Sequence, residues 1–525
     1  MKKIFFYAVI FTVCFVSCNK DELIKESNEM LPEEKISEVD EIYMSDPAAN
    51  TLRSFGKALY GAMSESPMLR EIIKNEALKQ FNKDYDVLYQ FIKNEKIENG
   101  LTVRELLLKH FDDKEILMRI EARCPTLTIF VPKLPEDSFS AETWNIETQI
   151  PAVAIRAKHH NTPAISEYGF FDENSDEFVI EAGYIPAFPV VVLKQNERVR
   201  VARDRMQTQS AVLNKADNDF AFEFIDECFD GSKEENVVQR TVYSIDQKIK
   251  DAYNIYQNTD GWQRDYIYYG LTPTNTTGPF CYDYQEHITS FKFSPQVDPE
   301  VMMTAICDQT GDPTLIPVTF NTTTYPWTDG ILEFRILAQT GSKAENTSEL
   351  KRYLRVYPNE LFEVTYTPMG KNPITGKPLF YMPTITGFKT KEDNIPLMNW
   401  DLENFSTVMK ICIEEEDDTE TTETTFSASS EFATNIEFNA TYGETVKAGL
   451  KFGVSAKTTK TNTYKRSISR SSDDLGDVLI NFADKIILSE SPPRRILGIP
   501  IPAGWNIREY DSNQFVITVV PVRVQ

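Results

Sequence analysis

The chain has 525 residues, a net charge of −24 and 12% aromatic residues. So acidic a surface repels nucleic acid and anionic lipid headgroups, and so aromatic a composition is not that of a disordered chain. At roughly 100–200 residues per domain the length predicts two to four domains, each able to bury a core.

Met1-Lys2-Lys3 precedes an uncharged run from Ile4 to Ser17, and then comes Cys18. A basic start, a short apolar core and a small residue before the cut make a secretory signal pattern. The run is too short for a permanent span of about 20 apolar residues, and Asn19-Lys20-Asp21-Glu22 is a polar flank. Removing residues 1–17 takes away two lysines and no acid, leaving 508 residues and a charge of −26. Phe15-Val16-Ser17-Cys18 resembles a bacterial lipobox. Lys20-Asp21-Glu22 resembles the short signal that sends Bacteroidota lipoproteins to the outer face of the outer membrane. On those residues alone the chain is similar to surface-exposed lipoproteins of Bacteroidota, a class with no shared activity. The resemblance implies lipid on Cys18 and membrane attachment at the cell surface.

Residues 18–45 are polar, Lys/Glu-rich and read as a flexible tether. From Asp46-Pro47 the pattern turns helical: Leu52, Phe55, Leu59 and Met63, then Met68 to Phe81, then Val87, Leu88, Phe91 and Ile92. Thr102-Val103-Arg104-Glu105 matches a capping box. Three or four helices are expected over 46–122. Short β-branched runs at Leu127–Val131, Val153–Ile155, Phe178–Ile180, Val190–Leu193 and Val199–Val201 make 123–240 a mixed domain. Residues 241–525 are β-rich, with runs at 332–337, 361–366, 409–413, 478–482 and 515–520, spaced as in a β-sandwich. The fold class expected is α+β: an N-terminal helical segment followed by β-rich domains, the last a sandwich.

Catalytic signals are sparse. The four histidines are His110, His159, His160 and His287, and none lies in HExxH. GxSxG, P-loop and GxGxxG motifs are absent, so no cofactor or metal is expected and nothing commits the chain to being an enzyme. The acidic run Glu414–Asp418 reads as a solvated edge more readily than as a calcium loop. After Cys18 come Cys124, Cys228, Cys281, Cys307 and Cys412, with no CxxC pair; buried, inert thiols are the expectation.

Two stretches stand out. Tyr253–Tyr284 is dense in rings among Asn, Asp, Thr and Gln, and Trp262, Tyr266, Tyr268 and Tyr269 are its candidate ligand-binding residues. Flat rings beside short amides suit a glycan; the alternative is that they fill the seam between domains.

The second stretch is 426–456. Six of eight even positions from Phe426 to Ala440 are apolar, against one of seven odd positions. Val446, Ala448, Leu450, Phe452, Val454 and Ala456 continue the alternation. Folding about Gly443 pairs Phe438 with Ala448 and keeps the apolar residues on one face, which makes a long amphipathic hairpin. A half-buried sandwich hairpin has this period, and so does a membrane-inserting strand pair. The Ser/Thr/Lys-rich sequel, Thr458–Ser472, resembles the inserting regions of aerolysin-like pore formers. The sandwich is the expectation for the hairpin. For the whole chain, the expectation is a lipid-anchored binding or adhesion protein for a glycan or another surface protein, with pore formation and hydrolysis as alternatives.

Overall fold

The computed structural model describes residues 47–525 apart from 159–165, 172–176, 182, 203–211, 214–219, 233–244, 260, 307–325, 329, 343–347, 374, 416–420, 434–435, 439–447, 452–456, 470–473, 497–498, 502–503 and 525. Cys18 and the tether lie outside the described residues.

The N-terminal part is helix on sheet. Helix α1 (Pro47–Glu65) buries Leu52, Phe55, Leu59 and Met63 at the spacing of one helical face. Helix α2 (Pro67–Ala77) follows directly, capped by the Ser66 hydroxyl, which accepts from the Leu69 backbone. At Thr102 the capping box forms as its spacing requires and starts α3 (Val103–Lys109); α4 (Lys114–Arg123) comes next. One part of the helical reading is corrected. Val87 and Leu88 belong to a strand, β1 (Asp86–Leu88), fully buried and paired with β2 (Leu127–Phe130). A short apolar run between two polar turns carries no period long enough to separate helix from strand.

The sheet runs β1-β2-β6-β3-β4-β5, where β3 is Ala152–Lys158, β4 Ser166–Phe171, β5 Glu177–Glu181 and β6 Val190–Gln195. All of its pairings are antiparallel except β3 with β6. Helix α1 packs on β3. The chain is α+β, with helices gathered at the N-terminus and strands dominating thereafter.

Beyond it, α5 (Gln247–Tyr256) and α6 (Gln263–Tyr269) lead through a three-residue strand, β7 (Thr277–Pro279), into a sandwich. One sheet takes β8 (Tyr284–Phe293), β11 (Lys391–Pro396), β18 (Glu509–Asp511) and β19 (Phe515–Arg523) in the order β11-β8-β19-β18. The other takes β9 (Leu332–Ser342), β10 (Ser348–Val356), β12 (Phe405–Glu415) and β17 (Asp474–Asn481) in the order β10-β9-β12-β17. Both are antiparallel. Phe291 and Phe293 of β8 meet Phe334 of β9 at ring distances of 5.5 and 6.0 Å, so the two sheets face each other. Ile336, Ala338, Met409, Ile411 and Ile413 extend the same core.

Candidate functional site

The hairpin belongs to neither sheet of the sandwich, contrary to the expectation. Its stem is a separate two-stranded ladder of β13 (Thr421–Ala433) and β16 (Lys457–Ser469). Its tip is β14 (Ile436–Phe438) with β15 (Ala448–Lys451), and β15 pairs in turn with β7. The expected pairing of Phe438 with Ala448 is present, with Ile436 opposite Leu450. Lower down the register differs by four residues, so Phe432 faces Thr458. An even shift preserves the faces. The pairing of Ala440 with Val446 lies outside the described residues.

The arm doubles back along the body. It leaves the sandwich beyond Glu415 and Asp474, which end β12 and begin β17. It re-attaches at β7, beside the other end of β12, where Trp400 and Phe482 meet. Eleven residues of β12 cover about 36 Å and thirteen of β13 about 43 Å, so the stem is long enough for the return. β13 packs against β12 and β9. Correspondingly, Arg335, Leu337, Cys412 and Glu414, which alternate with the inward-facing residues of those strands, are buried. Arg335 and Glu414 stand opposite each other and pair at 2.9 Å on this covered face.

The tip's dock is built by α6 and the rings around it. Gly270, in the left-handed region at φ 65°, ends α6 by donating to the Tyr266 carbonyl. The chain then returns close enough for a Cβ at Gly278 to collide with the Tyr269 carbonyl. Tyr268 is fully buried, stacks on Phe280 at 5.4 Å and donates its hydroxyl to Glu286 at 3.1 Å. Tyr269 donates to Asp401 and accepts from the Leu402 backbone. Trp262 meets Phe482 edge-on at 6.0 Å, and Tyr266 packs partly buried on the same core. The sequence offered all four either as ligand-binding faces or as rings filling a seam between domains. Tyr268 and Tyr269 have both ring and hydroxyl engaged inside the protein, packed behind β7.

Under the rings lies a charged knot. Arg264 is fully buried, holds Glu286 through two hydrogen bonds of 2.8 and 3.0 Å, donates to the Asp484 carbonyl and lies over the Trp400 ring. On the same helix, burial pushes the Asp265 carboxyl up to about 7 against a backbone hydrogen bond at Trp262. At the far end of the sandwich, burial likewise pushes Glu333 up to about 7 in spite of Arg198, 2.8 Å away. No sequence pattern marks Arg264, Glu286 or β7 as partners.

The remaining candidates disperse. His110 meets Glu65 at 3.2 Å; His287 is buried, which lowers its pKa; His159 and His160 lie outside the described residues. Cys124, Cys228 and Cys412 are buried thiols, Cys281 is half-buried, and Cys307 lies outside the described residues. The acidic run is not a solvated edge at its start, because Glu414 and Glu415 are buried; 416–420 lie outside the described residues. Among the described residues no three His, Cys, Asp or Glu side chains group as metal ligands, and no helix is long and apolar enough to cross a membrane. No protein-family model, no curated protein and no solved structure matches the chain.

Proposed function

We propose that this is a lipid-anchored surface protein whose working part is the 421–469 arm, a stowed hairpin that unclips from β7 and inserts into a bilayer as a pore-forming element. The observation that carries this reading is the arm's double attachment: a stem paired with neither sandwich sheet, and an amphipathic tip clipped to the body by one three-residue ladder.

The chemistry divides the arm in two. Beyond the stem, residues 434–440 and 446–456 run for seven and eleven residues, the longer of the two reaching the roughly 9–11 a transmembrane strand needs. The register gives Ile436, Phe438, Ala448 and Leu450 a common face, with Glu437 and Gly449 on the other. The stem is different, since Lys460 and Arg466 share a face with Phe426 and Phe432. Each cation would cost about 2–4 kcal/mol at the bilayer midplane, so the stem stays outside. Ladder hydrogen bonds contribute about 0.5–1.5 kcal/mol each, so the β7 clip is a closure that thermal energy or a partner can open. A lone hairpin leaves two unpaired edges, which lipid does not tolerate; insertion therefore requires several copies closing a barrel.

The test is release of a trapped dye from liposomes by the full chain. Release is expected from the wild type and should be lost in Phe438→Asp/Leu450→Asp at unchanged melting temperature. Liposomes that stay intact with the wild type would sink the reading. The anchor is checked separately: Cys18→Ala should move the protein from the membrane fraction to the soluble one.

A further inference from the structure

A cavity of about 310 Å3 opens at the end of the sandwich where β8 and β12 begin, beside the β7 dock. Its size is near the lower end of the ligand-pocket range, about 300–1,000 Å3, room for one sugar ring. Tyr282, Gln285, Asn399, Asn404 and Phe405 line it with one acid, Asp401, and three aliphatic residues complete the wall. No Lys or Arg is in the lining.

The polar groups are preset. Asn399 donates its amide to the Tyr284 and Tyr282 carbonyls at 2.7 and 3.3 Å, Gln285 to the Leu397 carbonyl at 3.2 Å, and Asn404 to Asp401 at 2.8 Å. Asn399 donates to two acceptors on the protein and Gln285 and Asn404 to one each, which fixes the amide planes. Among the described residues no group donates to the three amide oxygens. Asp401 already accepts from the Tyr269 hydroxyl, the Glu403 backbone and Asn404, so its charge is satisfied internally. Tyr282 is 49% exposed in a region of buried rings, its ring held edge-on by Phe280 at 4.8 Å.

Oriented acceptors, an exposed flat ring and no uncompensated charge select a ligand that is uncharged, rich in hydroxyl donors and bounded by a C–H face. We propose that this cleft binds one ring of a neutral carbohydrate, which stacks on Tyr282 and donates hydroxyl hydrogens to Gln285, Asn399 and Asn404. The site takes no residue of the arm, and it adjoins the buried rings through Asp401 on the Tyr269 hydroxyl and Tyr282 on Phe280.

The test is saturation-transfer NMR on the full chain with the methyl glycosides of glucose, galactose, mannose and N-acetylglucosamine. At least one glycoside should bind. Tyr282→Ala should weaken it by about tenfold or more, and Tyr282→Phe should retain it, which excludes a folding defect. Vesicles carrying a glycolipid with the same sugar separate the sources: capture there marks a membrane-displayed glycan, and binding of the free glycoside alone marks a soluble one. Phe438→Asp should bind sugar as the wild type does, so a failure of the pore reading leaves this one standing. Four glycosides without saturation transfer, or an unchanged affinity in Tyr282→Ala, would overturn the proposal.

Discussion

Thr277 and Lys451 stand opposite each other in an antiparallel ladder that closes the hairpin tip onto the body. Opposed Cα atoms in such a ladder lie about 4.5–5.5 Å apart, within the range a disulfide spans. A Thr277→Cys/Lys451→Cys chain should therefore crosslink on oxidation and release no dye, and reduction should restore release. The opposite change is available at Gly278, where any side chain meets the Tyr269 carbonyl. Gly278→Ala should loosen the clip and speed dye release, with limited proteolysis cutting between 434 and 447 sooner than in the wild type. Equal rates in locked and reduced chains would show that the tip does not need to move.

Arg264 and Glu286 make a fully buried ion pair with two direct hydrogen bonds. Removing one partner strands the other charge in a dry site, a loss of about 3–5 kcal/mol. Glu286→Gln keeps the shape and one acceptor but removes the charge, so it should cost at the lower end of that range, seen as a drop in the midpoint of urea unfolding. Arg264→Met should cost more, because Glu286 loses its counter-ion and two of its donors and the Asp484 carbonyl loses the guanidinium. A shift below about 1 kcal/mol in both variants would mean that water reaches the pair.

Asp265 gives the fold a pH dependence of defined sign. Its carboxyl titrates at about 7 in the folded protein against 3.8 for the free group. Between those values the native state holds a proton that the unfolded chain has released, so stability falls as pH rises through the window. Glu333 at about 7 and Asp86 at about 6, both raised by burial, act in the same direction. Asp265→Asn, which stays neutral, should melt higher than the wild type at pH 8, by a margin that narrows as pH falls and closes only near pH 4. Parallel melting curves for the two proteins across that range would rule out the protonated carboxyl.

Much of this architecture is local and therefore legible. β19 stands out as a β-branched run and β9 as a short apolar one between turn residues, and the Thr102 capping box is a matter of spacing. Phe438 opposite Ala448 follows from alternation about a glycine, because hairpin neighbours in the chain are neighbours in space. The four-residue change of register below the tip keeps every face and so leaves no trace in the pattern. That the hairpin stands outside the sandwich was equally hidden, since a strand covering a core and a strand stowed beside one share the same period. β7 is three residues long, too short for any period, and its partner is far away in the chain. The ring-rich stretch showed composition but not burial: Tyr268 and Tyr282 read alike in sequence, and only the fold separates a fully buried ring from a half-exposed one.

That separation yields the last prediction. Tyr268 contacts Phe280 and Phe482 and holds Glu286 through its hydroxyl, so it is a packing residue with a polar anchor. Tyr268→Ala should leave a cavity and cost about 3–5 kcal/mol, as large-to-small changes at well-packed aromatic sites do. Tyr268→Phe keeps the ring and loses one hydrogen bond to a charged acceptor, a cost of about 1.5–3 kcal/mol. Tyr282→Ala, with half its ring in solvent, should lower the melting midpoint far less than Tyr268→Ala. Thermal unfolding of the three variants gives the order directly. If Tyr268→Ala melted with the wild type, the ring would not be part of the core, and a ligand-facing role for the Trp262–Tyr269 segment would have to be reopened.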